Sequence, residues 1–184
     1  YGSTLNQHVD VIIRSFEEIV ATQPPNFNPS FIFKIHIEGQ VTDAQWRGCN
    51  LTVLSEESDG AVVLFSPDQL EEFRRHIGQY SEQVSGEMKN PHNNWISSLT
   101  TDMQLWNRGN RIGTKLRLAQ INPEQEYYFD LEFWVYGNPE DNQTRVDSVI
   151  SFILQNNGRV TDHYYGQEIY MLRIKALGSL VDQL

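Results

Sequence analysis

The sequence predicts an α+β protein of two ferredoxin-like units, each a split β-α-β antiparallel sheet with helices packed on one face. Stretches in which every second residue is apolar, typical of strands, alternate with stretches of 3.6-residue period, typical of helices. Both halves give the same order of strand, helix, strand, strand, helix. The predicted organisation is an N-terminal helix plus a first α+β unit over residues 1–85, a helical linker region over 86–125 and a βαββα unit over 126–184.

The first half opens on an amphipathic helix, because apolar residues recur on one stripe from Leu5 to Val20. An extended connection, a strand, a short helical turn and a β-hairpin are then predicted, in that order, at residues 24–29, 31–38, 42–46 and 49–65. The hairpin turn contains Asp59-Gly60, a pair that favours a tight reversal. Ser66-Pro67 then starts a helix, since proline is favoured in a first turn.

Residues 81–93 are polar and predict a loop, the expected boundary between the two units. Beyond it, Trp95, Leu99, Met103 and Trp106 recur at helical spacing and predict a helix. An extended segment is expected over 112–121.

The second half starts with a strand over 129–136, where apolar residues alternate with the others. A helix follows, and Asn157-Gly158 ends it because glycine adopts the left-handed conformation of a helix C-terminus. Two strands and a short helix follow, over residues 159–165, 168–175 and 177–184. This order is that of a split β-α-β sandwich whose last strand is missing.

Several segments resemble the N-terminal region of large bacterial subtilisin-like serine proteases, and the second half resembles the pro-domain of that family. The segments that carry the resemblance are Leu51–Glu57, Gly60–Phe65, Leu70–Arg75, Arg111–Gly113, Val149-Ile150-Ser151, Asn157–Val160 and Tyr170–Leu184. The resemblance implies a regulatory region that acts as chaperone and inhibitor of a subtilisin-like catalytic domain, in the same polypeptide or as a processed chain. Some of those proteases are paired with an AAA-type ATPase, which the resemblance adds as a second partner.

The catalytic motifs of that family are absent from this chain. Those motifs are Asp-Ser/Thr-Gly, His-Gly-Thr-His and Gly-Thr-Ser. Here Asp59-Gly60 has no Ser or Thr between the two residues, no histidine precedes a glycine, and Gly113-Thr114 is followed by Lys115 where the motif has serine. The final strand and the cleft-entering tail of the pro-domain are also missing. We therefore expect no enzymatic activity from this chain by itself.

The composition limits the classes of binding partner and cofactor, and the cellular compartment, that we expect for this chain. A net charge of -10 argues against nucleic acid and against an anionic membrane. Cys49 is the single cysteine, which excludes an internal disulfide and indicates a reducing, cytoplasmic location. The five histidines share no metal-ligand spacing, and no nucleotide-binding motif occurs, so no metal or cofactor is expected.

One predicted sheet face carries an unusual mixture of side chains. If Phe133 faces the helices, the opposite face holds seven candidate partner-binding residues: Asp130, Glu132, Trp134, Tyr136, Tyr165, Ile169 and Met171. Such large apolar groups with flanking charges are typical of a docking surface. By the resemblance, Asp130 and Glu132 would cap helices of the catalytic domain.

Other interpretations remain open at this stage. The N-terminal half could cover this face, and the chain could be a freestanding interaction or adaptor module. A ferredoxin-like binder of RNA or of a small ligand is a further alternative, although the two acidic residues on the face weigh against RNA.

Overall fold

The computed structural model describes residues 2–22, 29–181 and 183. The chain forms two compact units, Tyr1–Arg111 and Ile112–Leu184, each with helices and one antiparallel sheet, so the α+β class is confirmed. The connection predicted over 24–29 lies, apart from Pro29, outside the described residues, as does Leu184. None of the described helices is both long enough and apolar enough to cross a membrane.

The first unit contains α1 (Gly2–Thr22), β1 (Ile32–Ile37), α2 (Asp43–Gly48), β2 (Thr52–Glu56), β3 (Ala61–Phe65), α3 (Glu71–Ser85), a 3-10 turn (Asn94–Ser98), β4 (Leu99–Leu105) and α4 (Arg108–Arg111). Across the described residues its strand order is β2-β3-β1-β4, with all neighbours antiparallel. β1 and β2 are therefore parallel to each other and separated by β3. This is the split β-α-β arrangement of the ferredoxin-like fold.

The core of the first unit lies between its sheet and its helices. The apolar stripe of α1 belongs to the same buried cluster as Phe33 and Ile35 of β1, which have no exposed surface. Trp46 of α2 belongs to the same cluster, and α2 begins with a capping box between Thr42 and Gln45. Each such large apolar side chain contributes about 1.5–3 kcal/mol by leaving water.

The helix predicted from Trp95 to Trp106 is wrong. Asn94–Ser98 forms a single 3-10 turn, and Leu99–Leu105 forms β4, the fourth strand of the first sheet. Leu99 and Met103 fit a four-residue helical spacing and a two-residue strand spacing equally well, and pairing with the buried strand β1 decides between them. Residues 86–111 thus belong to the first unit, and no helical linker over 86–125 separates the units within the described residues.

The second unit contains α5 (Thr114–Leu118), β5 (Glu126–Trp134), α6 (Pro139–Gln155), β6 (Arg159–Tyr165), β7 (Ile169–Leu177) and α7 (Gly178–Val181). The extended segment predicted over 112–121 is wrong, since it includes α5. In the described part of this unit the strand order is β5-β7-β6, and both pairs are antiparallel. The predicted βαββα order and split β-α-β topology are confirmed.

α6 covers one face of the second sheet. Asn138 caps its first turn by accepting the Asp141 backbone N–H at 2.8 Å, and Pro139 follows as the first helical residue. Val146 and Ile153 of α6 pack against Leu172 and Ile174 of β7. We call this face the inner face and the opposite one the outer face.

The end of α6 differs from the prediction in one detail. Asn157, with φ 60°, adopts the left-handed conformation, and Gly158 does not. Gly158 is instead required by close packing, because a Cβ there would lie 2.7 Å from Cγ2 of Ile153 and 3.2 Å from Cβ of Ala176. Asparagine tolerates the left-handed region better than most residues do.

Candidate docking surface

The register of β5 and β7 determines which side chains share the outer face. Asp130 lies across from Arg173, Glu132 from Met171, and Trp134 from Ile169. Directly paired residues of an antiparallel sheet point to the same side. The alternation predicted for these two strands is therefore confirmed, and five of the seven candidate residues lie together: Asp130, Glu132, Trp134, Ile169 and Met171.

Tyr136 is not on the outer face. β5 ends at Trp134, the chain turns through Gly137 with φ 71°, and the Tyr136 side chain is buried. The Tyr136 N–H donates to Asn142 Oδ1 at 3.1 Å, and the Arg145 guanidinium lies 3.9 Å from the centre of the tyrosine ring. Both partners belong to α6. The prediction fails because the strand alternation was extended two residues past the end of the strand.

Tyr165 is also misplaced by the prediction. A β-bulge between Val160 and Asp162 adds one residue to β6, so every later side chain changes face. Tyr165 pairs with Tyr170 on the inner face, where their ring centres are 5.0 Å apart. The Thr161 hydroxyl donates to the Arg173 carbonyl at 3.1 Å, which satisfies a backbone group at the bulge.

The bulge brings two residues to the outer face that the sequence does not predict there. Asp162 lies across from Arg173, and Tyr164 lies across from Met171. Tyr128 of β5 lies across from Lys175, and its side chain is exposed. We call the following set the outer surface: Tyr128, Asp130, Glu132, Trp134, Tyr164, Ile169, Met171 and Arg173. The sequence does not predict the position of Tyr164 because it depends on the bulge. The position of Tyr128 could have been predicted by continuing the alternation back from Asp130.

Charges and apolar groups occupy opposite ends of the outer surface. At one end Trp134, Ile169, Met171 and Tyr164 form a mainly apolar patch. Toward the other end the Arg173 guanidinium donates to both oxygens of Asp130, at 2.7 and 2.9 Å. This hydrogen-bonded pair lowers the pKa of the Asp130 carboxyl and raises the pKa of Arg173.

A second ion pair extends the charged end. Lys175 Nζ lies 2.8 Å from Glu126 and 5.8 Å from the centre of the Tyr128 ring. The bond from Lys175 lowers the pKa of the Glu126 carboxyl. Glu132, by contrast, lies across from an apolar residue and its side chain is exposed. Its carboxylate is thus the acidic group on this surface best placed for an external cation or helix N-terminus.

The cysteine and the metal-binding residue types of the described part of the chain form no reactive or metal-binding group. Cys49 is fully buried, and burial raises the pKa of its thiol to about 12, so it carries no thiolate at neutral pH. Within the same residues, no three His, Cys, Asp or Glu side chains converge as a metal site.

His36 of the first unit has partners that its position in the sequence does not reveal. Its Nδ1 lies 2.8 Å from Asp102 of β4, and its Nε2 lies 3.4 Å from Asp59 in the β2–β3 turn. Lys34 pairs with the same Asp59 at 3.0 Å. The β2–β3 turn is therefore held against β1 through the Asp59 carboxylate.

Family models match both units. Residues 1–106 match the model of the Y4kK N-terminal domain, and residues 110–184 match the model of the Y4kK central domain. The protein named "Uncharacterized protein y4kK" from Sinorhizobium fredii (strain NBRC 101917 / NGR234) is 32% identical over 170 residues, which are 88% of this chain and 54% of that protein. The chain thus spans about half the length of this relative. No solved structure matches the chain.

Proposed function

The chain belongs to the Y4kK family, and we propose that it is a non-catalytic regulatory region that binds a protein partner through the outer surface. The partner implied by the subtilase resemblance is the catalytic domain of a subtilisin-like serine protease. The chain would act on it as an intramolecular chaperone and inhibitor, or as a docking module. The proposal includes a cytoplasmic location, which is favoured by the single, unpaired and buried Cys49.

The apolar end of the outer surface carries the proposal. A solvated sheet face normally alternates to polar side chains. Here Trp134, Ile169 and Met171 lie side by side on the face that α6 does not cover, with charged residues beside them. Aromatic residues and methionine are enriched in protein interfaces, and tryptophan is the residue most often found to dominate the binding energy.

The charges on this surface favour a protein over RNA as the ligand. Arg173, one of two cations of β7 on this face, lies across from Asp130 on one side and Asp162 on the other. A phosphate backbone would therefore meet carboxylates on both sides of the guanidinium. Exposed Tyr128 and Tyr164 could stack on bases, which keeps an RNA-binding platform as the competing function.

A binding titration tests the proposal. The labelled chain is titrated with the catalytic domain of a subtilisin-like protease from the same organism, inactivated at its nucleophile, and in parallel with a single-stranded RNA. We expect the protease domain to bind and Trp134→Ala to weaken binding. Leu154→Ala, which removes an exposed apolar side chain from α6, is the matched control and should have no effect.

Three outcomes would contradict the proposal. If the unmodified chain does not bind the protease domain, a subtilisin-like protease is not its partner. Equal losses from the Trp134 and Leu154 substitutions would remove the outer surface as the binding site. Tight, salt-dependent binding of RNA that Trp134→Ala weakens would favour the RNA-binding platform instead.

A further inference from the structure

The two units share one topology up to a single strand. In the first unit β4 follows α3 and lies beside β1, on the side away from β3. In the second unit β5 and β7 correspond to β1 and β3, and α7 follows β7 as α3 follows β3. Within the described residues, however, β5 pairs on one side only, and no strand takes the place of β4. The edge of β5 is therefore open where its counterpart in the first unit is paired.

The backbone of β5 is suitable for accepting a strand at this edge. The Val135 N–H donates to Glu168, and the Gln125 carbonyl accepts from Gly178, so odd-numbered residues turn their backbone groups toward β7. Because these groups alternate along an antiparallel strand, Tyr128, Asp130 and Glu132 direct theirs to the open edge. An extended segment that adds here would gain main-chain hydrogen bonds.

The inner side of β5 is incompletely covered. Phe33 and Ile35 on the corresponding strand β1 have no exposed surface, since β3 and β4 flank them and α1 and α3 contribute to the same buried cluster. Phe129, Leu131 and Phe133 on β5 are only half-buried, although they pack on the core of the second unit. An added strand with apolar side chains on the inner face would cover this surface.

The outer side of β5 sets the charge of the strand that fits. Three acidic residues lie there: Glu132, and Glu126 and Asp130, which pair with Lys175 and Arg173 of β7 on the other side. The first unit places a basic side chain against an acidic one at the same place, since His36 Nδ1 of β1 lies 2.8 Å from the Asp102 carboxylate of β4. A strand beside β5 would match with lysine or arginine. Pairing of β5 with β5 of a second copy, centred on Asp130, would instead bring the two Asp130 carboxylates together, and like charges directly across a sheet are destabilising.

We propose that the open edge of β5 is a strand-binding site filled by an antiparallel strand of alternating apolar and basic residues from the same polypeptide, beyond the central domain. The direction fits, because a strand that follows α7 repeats the β3-α3-β4 connection of the first unit. The Sinorhizobium fredii relative has chain outside the matched part, which covers 54% of it, and the model that matches the second unit is named a central domain. The edge shares Asp130 and Glu132 with the outer surface, but the strand would bind through the backbone groups at the edge of β5, not through the face of the sheet.

Amide hydrogen exchange tests the proposal. Exchange is measured by NMR in the 184-residue chain and in the same chain lengthened with the residues that follow it in its gene. In the longer protein the amides of Tyr128, Asp130 and Glu132 should exchange at about one tenth of the rate or below, because a paired strand must open before exchange. The amides of Phe129 and Leu131, which point to β7, serve as internal controls and should change far less. Glu132→Lys should reduce the new protection, whereas Asp162→Lys on β6 should leave it unchanged.

Each other outcome overturns the proposal. Unchanged exchange at the three amides, or a gene that ends at the codon for Leu184, excludes a strand from the same polypeptide. Concentration-dependent protection in the 184-residue chain indicates pairing with a second copy. Protection that requires an added protein assigns the strand to a separate partner. None of these outcomes depends on whether a protease binds the outer surface.

Discussion

Asp130 of β5 and Arg173 of β7 form a two-point ion pair across the outer surface, with distances of 2.7 and 2.9 Å. The carboxylate that the subtilase resemblance assigns to capping a partner helix is thus already bound within the chain. Glu132, next along the same face, lies across from Met171 instead. A partner helix would engage Glu132 directly, but would have to compete with Arg173 for Asp130.

Asp130→Asn should reduce the change of the free energy of unfolding with pH in the acidic range. Arg173 lowers the pKa of Asp130 in the folded state, so the contribution of this carboxylate is present above its unfolded pKa of about 3.9 and is lost as the pH falls through the lower folded value. Both groups are largely exposed, so the effect should stay below about 1 kcal/mol. Urea unfolding between about pH 2 and 7 measures it. Glu132→Gln is the control, and an equal effect there would show that the ion pair contributes nothing.

Trp134→Ala should mainly weaken partner binding, whereas Phe133→Ala should mainly lower the stability of the fold. Trp134 lies on the outer face, so its loss should weaken partner binding by about 2 kcal/mol or more and change the free energy of unfolding less. Phe133 packs with the inner core and is half-buried, so its loss should lower the free energy of unfolding by about 2 kcal/mol. Denaturant unfolding and the binding titration, run on both variants, separate the two. Comparable destabilisation by the two substitutions would mean that Trp134 is a structural residue.

Asn142→Ala should be strongly destabilising for a polar substitution. The Asn142 side chain is 3% exposed, accepts from the Tyr136 N–H and Arg145, and donates to the Asn138 carbonyl at 2.9 Å. Its removal leaves buried groups without partners, which costs about 1–3 kcal/mol. Thermal and urea unfolding measure the loss. Gln143→Ala, at the exposed neighbouring position, should change stability by less than about 0.5 kcal/mol.

Gly158→Ala should destabilise the second unit although this glycine is not left-handed. The added methyl group would lie 2.7 Å from Ile153, and relieving such overlap costs about 1–3 kcal/mol. Asn157→Gly, at the position with φ 60°, should be nearly neutral because glycine adopts this conformation freely. The reverse result in urea unfolding of both variants would place the left-handed residue at 158.

The repeated element order is what the sequence predicts best. Alternation in β5 and helical spacing in α6 are long and regular enough to determine type and direction, and Asp59-Gly60 fixes the hairpin. β4 is missed because Leu99 and Met103 satisfy both periods. A strand that is stabilised by pairing with a distant segment leaves only a weak local signal.

The candidate site could be predicted for β5 and β7 but not for β6. Five of the seven residues follow from the alternation alone. Tyr136 fails because nothing before Gly137 marks the end of pairing, and Tyr165 fails because a bulge depends on the partner strand. Thr161 has no local feature that identifies it as the additional residue.

The bulge at Thr161 also determines where β6 can lose a residue without changing which of its side chains face outward. Val160 and Asp162 face consecutive residues of β7, so Thr161 is an extra residue in the ladder. Loss of its codon would leave a regular strand in which Asp162 and Tyr164 still face outward. Loss of His163, two positions later, would move Tyr164 to the inner face. A single site in β6 can therefore gain or lose a residue across a gene's history while the chemistry of the outer surface stays the same.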